Sequence, residues 1–124
     1  MIVNIVVKPN LIMEKSLKFS VKIIEIYKFL TKNNEFIISK QLLRSWTSIW
    51  ANITESKFWA SKKDFIHKMT IALKEANETL YRLQLLQESK MLEKDYSEYI
   101  KEINSIIWIL VKIVNTTKKN MLNP

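Results

Sequence analysis

Glu75 and Glu78 are a carboxylate pair one helical turn apart, and paired metal ions inside helical bundles are held by glutamates. Such sites add a Glu-x-x-His motif, and this chain has none. His67 is the single histidine. As a catalytic base it needs an orienting carboxylate and a nucleophile, and as a metal ligand two or three companions. Its expected neighbours are Asn52, Thr70 and Asp64, which fit a surface or hydrogen-bonding histidine. With no cysteine there is no thiolate, and with no glycine there is no phosphate-cradling loop. The expectation is therefore no catalytic residue, no metal, no cofactor and no small-molecule substrate. Arg44 has two readings. Paired with Glu75 and Glu78 it forms a structural ion pair that fixes helix register; left free, it meets phosphate.

The element that must position these groups is a helical hairpin over Ser39–Leu86. Its second arm carries Phe65, Met69, Ala72, Ala76, Thr79, Leu83 and Leu86 at alternating steps of four and three, which places all seven on one face. Ser61-Lys62-Lys63-Asp64 marks the start of that arm as a capping box with Asp in place of Glu. A fold about Trp59–Ala60 sets residues whose numbers sum to about 119 side by side: Arg44 with Glu75, Asn52 with His67, Ser48 with Ile71. Before the hairpin, Phe19, Ile23, Ile26, Tyr27 and Leu30 predict a helix over about 11–32, broken by Asn33-Asn34. After it, Tyr96, Ile100, Ile103, Ile107, Leu110, Val114 and Thr117 predict a helix over about 93–118. The hairpin arms span about 36–58 and 62–89. Residues 1–10 read as an extended arm and 120–124 as a frayed tail. Four helices with short links predict an all-α, antiparallel up-down-up-down four-helix bundle.

Several segments carry a resemblance: Lys40-Gln41-Leu42-Leu43-Arg44-Ser45, Thr47-Ser48-Ile49, Ala51-Asn52-Ile53, Ser61-Lys62-Lys63-Asp64-Phe65-Ile66 and Ile71-Ala72-Leu73-Lys74-Glu75-Ala76-Asn77-Glu78-Thr79. In order and spacing they resemble the small bacterial four-helix-bundle proteins encoded in 23S rRNA intervening sequences, from about Asn10 to Lys119. The resemblance implies a bundle assembled as a ring-shaped homo-oligomer, a pentamer, with no established enzymatic activity. It also implies an RNA- or DNA-binding role, partly through similarity to the accessory proteins of diversity-generating retroelements.

Charge bears on that role. The chain carries a net +8. Residues 1–74 hold thirteen Lys/Arg against five Asp/Glu, while 75–124 hold seven of each. An excess of this sign attracts polyanions, although abundant lysine also serves plain solvation. The candidate nucleic-acid contacts are Lys15, Lys18 and Lys22 on the first helix, Lys40 and Arg44 on the second, and Lys57, Lys62, Lys63 and Lys68 around the hairpin turn. No base-reading motif is present, so binding through them is expected to be weakly sequence-specific. No apolar run reaches the roughly 18 residues that cross a bilayer, and Met1–Val7 lacks a basic start. The expectation is a cytoplasmic protein without a membrane role.

Composition holds one anomaly. Glycine is absent from a chain in which average usage predicts roughly nine, and there are four tryptophans. Trp46 and Trp50 fall where the resembled family has glycine. One reading is that some or all of Trp46, Trp50, Trp59 and Trp108 come from UGA codons at which the source organism inserts glycine. The other is a lineage that replaced small residues with large ones. Real tryptophans at 46 and 50 would wedge into a helix interface or, one turn apart, offer a platform for stacking bases. The reading of the whole is a non-catalytic, oligomeric bundle that binds nucleic acid on its outside. The alternative is a structural or protein-interaction module with no nucleic-acid role.

Overall fold

Apolar residues recurring at steps of four and three leave each helix one dry face, and four such faces close on one another. In the computed structural model these helices are α1 (Pro9–Lys32), α2 (Ile38–Glu55), α3 (Lys62–Ser89) and α4 (Ser97–Leu122). The structure describes residues 9–58 and 61–122, with side chains from 11 to 57 and from 61 to 122. The arm expected over 1–10 lies outside these residues except for Pro9 and Asn10, which open α1; Trp59 and Ala60 also lie outside them. Proline suits a first helical position, where its missing N–H is not needed. α4 begins four residues later than the spacing predicts and runs on through Leu122.

All seven residues of the expected α3 stripe are buried. They meet Phe19, Ile23, Ile26 and Leu30 of α1, Leu42, Trp46, Ile49 and Ile53 of α2, and Ile103, Ile106 and Leu110 of α4 in one core. Burying a side chain such as Phe19 or Leu83 contributes about 1.5–3 kcal/mol, so this shared interior is what holds the helices together. Ile100 and Ile107 lie at its margin, with Ile106 and Ile113 taking the inner places.

The links are built from side chains rather than glycine. Asn34 adopts φ 65° after α1, and Asn33 Nδ2 donates to the Phe29 carbonyl at 2.8 Å. Glu35 then caps α2 from outside. Its carboxylate accepts from the backbone N–H groups of Ile37, Ile38 and Ser39 at 3.1, 2.9 and 2.8 Å. One side chain thus satisfies three of the four donors that a helix start leaves unpaired. After α2 the chain makes a 3₁₀ turn over Ser56–Phe58. Ser61 Oγ accepts from the Asp64 N–H at 3.1 Å, the capping arrangement expected at α3. Lys90, at φ 52°, ends α3 in the left-handed region. Gln87 Oε1 then accepts from the Tyr96 N–H at 2.7 Å, tying the α3–α4 link to the helix behind it.

Cross-helix contacts fix the directions. Ser45 meets Thr79, Glu55 meets Lys68 and Gln41 meets Arg82, so α2 and α3 are antiparallel with paired numbers summing to 123 or 124. The expected sum was about 119. The pairing is therefore offset by about half a helical turn along each arm. The buried Ser45–Thr79 hydroxyl pair at 3.0 Å locks this register. Lys22 near Glu98 and Glu102, with Lys94 over the Phe29 ring, sets α1 antiparallel to α4. Among the described residues no helix is long and apolar enough to cross a membrane.

Candidate nucleic-acid interface

The register decides what Arg44 can do. The register sets Ser48 rather than Arg44 opposite Glu75, and among the described residues no ion pair joins Arg44 to Glu75 or to Glu78, so the expected Arg44–Glu75/Glu78 pair is not formed. Glu78 instead meets Arg82, one turn along its own helix, at 3.8 Å. Arg44 acts on both glutamates only through space. The two carboxyls influence each other, and their environments push them apart. Burial, then the hydrogen bond and charge of Glu78, raises Glu75 above the ordinary glutamate range, against the Ser48 hydroxyl and Arg44. The bond from Glu75, helped by Arg82, Lys74 and Arg44, holds Glu78 below it. Arg44 stays exposed on a shallow trough of 540 Å³ along the outer face of α2, between Lys40, Leu43, Thr47, Ser48 and Ala51.

His67 is exposed, and Asn52, expected beside it, instead donates to the Ser48 carbonyl at 2.8 Å. Among the described residues no three His, Asp or Glu side chains converge where a metal ion could sit. Trp46 is 3% exposed. Its Nε1–H donates to Ser20 Oγ at 2.6 Å, and its ring meets Phe19 edge-on at 4.8 Å. A base cannot stack on a ring sealed between α1 and α2, so the Trp46–Trp50 platform is excluded; Trp50 itself is half-buried. Among the described tryptophans the exposed one is Trp108, with Lys112 Nζ 4.2 Å from its ring centroid.

The structure divides the candidate cations. Lys68 is taken by Glu55 at 3.0 Å, and Lys22 lies 3.9 and 3.8 Å from Glu98 and Glu102. Neither is a free cation. Lys15, Lys18, Lys40, Arg44, Lys57, Lys62 and Lys63 belong to no ion pair among the described residues; Lys18, Lys40, Arg44, Lys57 and Lys63 are exposed, Lys15 and Lys62 half-buried.

Antiparallel packing then gathers charge that chain order keeps apart. The end of the bundle that holds the start of α1 and the α2–α3 turn also holds the end of α4. The half of the molecule on that side (residues 9–20, 47–75 and 109–122) carries ten lysines against four acidic residues among those described. The other half carries nine Lys/Arg against eight. Lys118 and Lys119, both exposed, join Lys57, Lys62 and Lys63 at this end. They were missed as candidates because counting along the chain cancels them against Glu93, Glu98 and Glu102, which sit at the far end.

A small all-α bundle with a dry core and a lysine-rich end is the class of protein defined here. The sequence model of the 23S rRNA-intervening sequence protein family matches residues 8–112, and the chain belongs to that family. It is also similar to the crystal structure of a protein with unknown function from the S23 ribosomal protein family of Bacteroides thetaiotaomicron. That likeness has 44% identity and a TM-score of 0.81, over 87% of this chain and 98% of the other. No curated protein matches the chain.

Proposed function

We propose that this protein is a non-catalytic accessory protein that binds RNA or DNA through its basic surface and works as a homo-oligomer. The observation that carries the reading is the one-ended surplus of lysine, most of it outside any ion pair. Such a surplus repels itself and lowers stability, and a phosphate backbone is the partner it matches. Among the described residues the buried side chains are mostly apolar, with six serine and threonine hydroxyls, the Tyr96 hydroxyl and the Trp46 indole N–H as the polar groups. Oligomer formation is supported by exposed Leu17, Val21 and Ile24, which line one side of α1. The resemblance implies a pentameric ring.

Gel-shift titrations of the wild-type chain with structured RNA and duplex DNA test the reading. A saturable shift that weakens steeply between 50 and 200 mM salt is expected; no shift at the lower salt would refute it. The same apolar stripe on α1 favours a second reading, a protein-interaction module whose charge maintains solubility. Under that reading the protein self-associates and leaves nucleic acid unshifted. Light scattering measures the assembly directly, with five chain masses expected.

A further inference from the structure

We infer that the docking face is the lysine-bearing end of the bundle rather than the side of α1 and α2, and that it grips the phosphodiester backbone of nucleic acid. This rests on the nucleic-acid reading above. Lys57, Lys62, Lys63, Lys118 and Lys119 form it, from three stretches that only antiparallel packing unites.

Three observations carry the assignment. None of the five lysines belongs to an ion pair among the described residues, whereas the nearby Lys68 is held by Glu55. The face is thus charged and not internally neutralised. Second, Lys62 and Lys63 occupy the first turn of α3, beside its positive pole. Cations there oppose the helix dipole and cost stability, so folding does not account for them. Lys119, in the last turn of α4, has the favourable sign, so the unfavourable pair is the informative one. Third, among the described tryptophans Trp46 is buried and Trp108 sits on the side of α4 with Lys112 over it. Lysine ammonium groups meet phosphate oxygens as point charges, so contacts made through these five read little sequence.

Five phosphate contacts on duplex DNA predict a slope of roughly −4.5 in log K against log salt, or a loss of about 500-fold between 50 and 200 mM. The test compares two variants of the full chain by fluorescence anisotropy with a labelled DNA duplex. The end variant carries Lys→Gln at 57, 62, 63, 118 and 119; the side variant carries Lys15→Gln, Lys18→Gln, Lys40→Gln and Arg44→Gln. The end variant is expected to flatten the slope by about four, and the side variant by less than one. Loss confined to the side variant, with the end variant binding like wild type, overturns the inference and leaves the nucleic-acid reading standing. A wild-type chain that binds neither this duplex nor structured RNA defeats both. Because Lys62→Gln/Lys63→Gln removes unfavourable charge, its Tm should not fall, and that double variant alone should flatten the slope by one to two. Tighter, end-dependent binding to phosphatidylserine vesicles than to the duplex would overturn the choice of occupant.

Discussion

Replacing Trp46 by alanine tests how α1 is fastened to α2. The indole is 3% exposed, donates to Ser20 Oγ at 2.6 Å and meets Phe19 edge-on at 4.8 Å. Large-to-alanine changes at such aromatic core positions cost about 3–5 kcal/mol. Within that, the hydrogen bond accounts for about 1 kcal/mol and the ring pair for a similar amount. A domain of this length has ~5–15 kcal/mol in total, so the variant should lose a third or more and melt ~10–20 °C lower. Urea and thermal unfolding measure it. Ser20→Ala leaves the indole N–H without its partner and should cost about 1–3 kcal/mol by itself. Its effect should largely vanish in a Trp46→Phe background, where there is no N–H to strand. A Trp46→Ala loss under about 1 kcal/mol would refute the reasoning, because the ring would then not be filling the α1–α2 interface. Peptide-level mass spectrometry of the native protein reads position 46 itself. A glycine there would remove the side chain that spaces these two helices and let them approach more closely.

Four further outcomes follow from the same contacts. Thr79→Val or Ser45→Ala removes the cross-helix bond but leaves the other hydroxyl its own-helix carbonyl, Leu42 or Glu75, so each should cost about 0.5–1.5 kcal/mol and the double variant little more than either, by urea unfolding. Glu35→Ala removes the acceptor for three N–H groups and should cost about 1–2 kcal/mol, most of it retained in Glu35→Asp only if the shorter carboxylate still reaches Ser39. Lys90→Gly, which relieves a left-handed lysine, should raise stability by about 1 kcal/mol. Glu75 is raised in the folded state and so binds its proton more tightly than in the unfolded chain; its contribution grows as pH falls from neutral through the raised value. Glu78 is lowered, so its contribution is present above the ordinary glutamate range and is lost as pH falls below it. Urea midpoints against pH should therefore rise slightly on mild acidification and then drop, and Glu75→Gln should remove the initial rise.

The bundle was legible because its information is local and repeated. The 4-3 steps from Phe65 to Leu86 name every buried residue of α3, and Ser61 with Asp64 marks where that helix starts. Register was not legible, since a cap says where a helix begins and not how the preceding chain reaches it. The Ser56–Phe58 turn and the fit of Ser45 against Thr79 move the pairing by four, and that shift separates Arg44 from Glu75. The α2 cap was hidden too, because Glu35 reaches it from outside the usual Ser, Thr, Asp or Asn position. The charged end was half legible: the turn lysines stand together in the sequence, but Lys118 and Lys119 reach them only through the direction of α4.

Lysine-reactivity footprinting by mass spectrometry, with and without a saturating RNA duplex, tests the account most directly. It should show Lys57, Lys62, Lys63, Lys118 and Lys119 protected, with Lys28, Lys90 and Lys101 at the other end still reacting as in the free protein. Uniform protection over both ends, or protection of the far end alone, would contradict it.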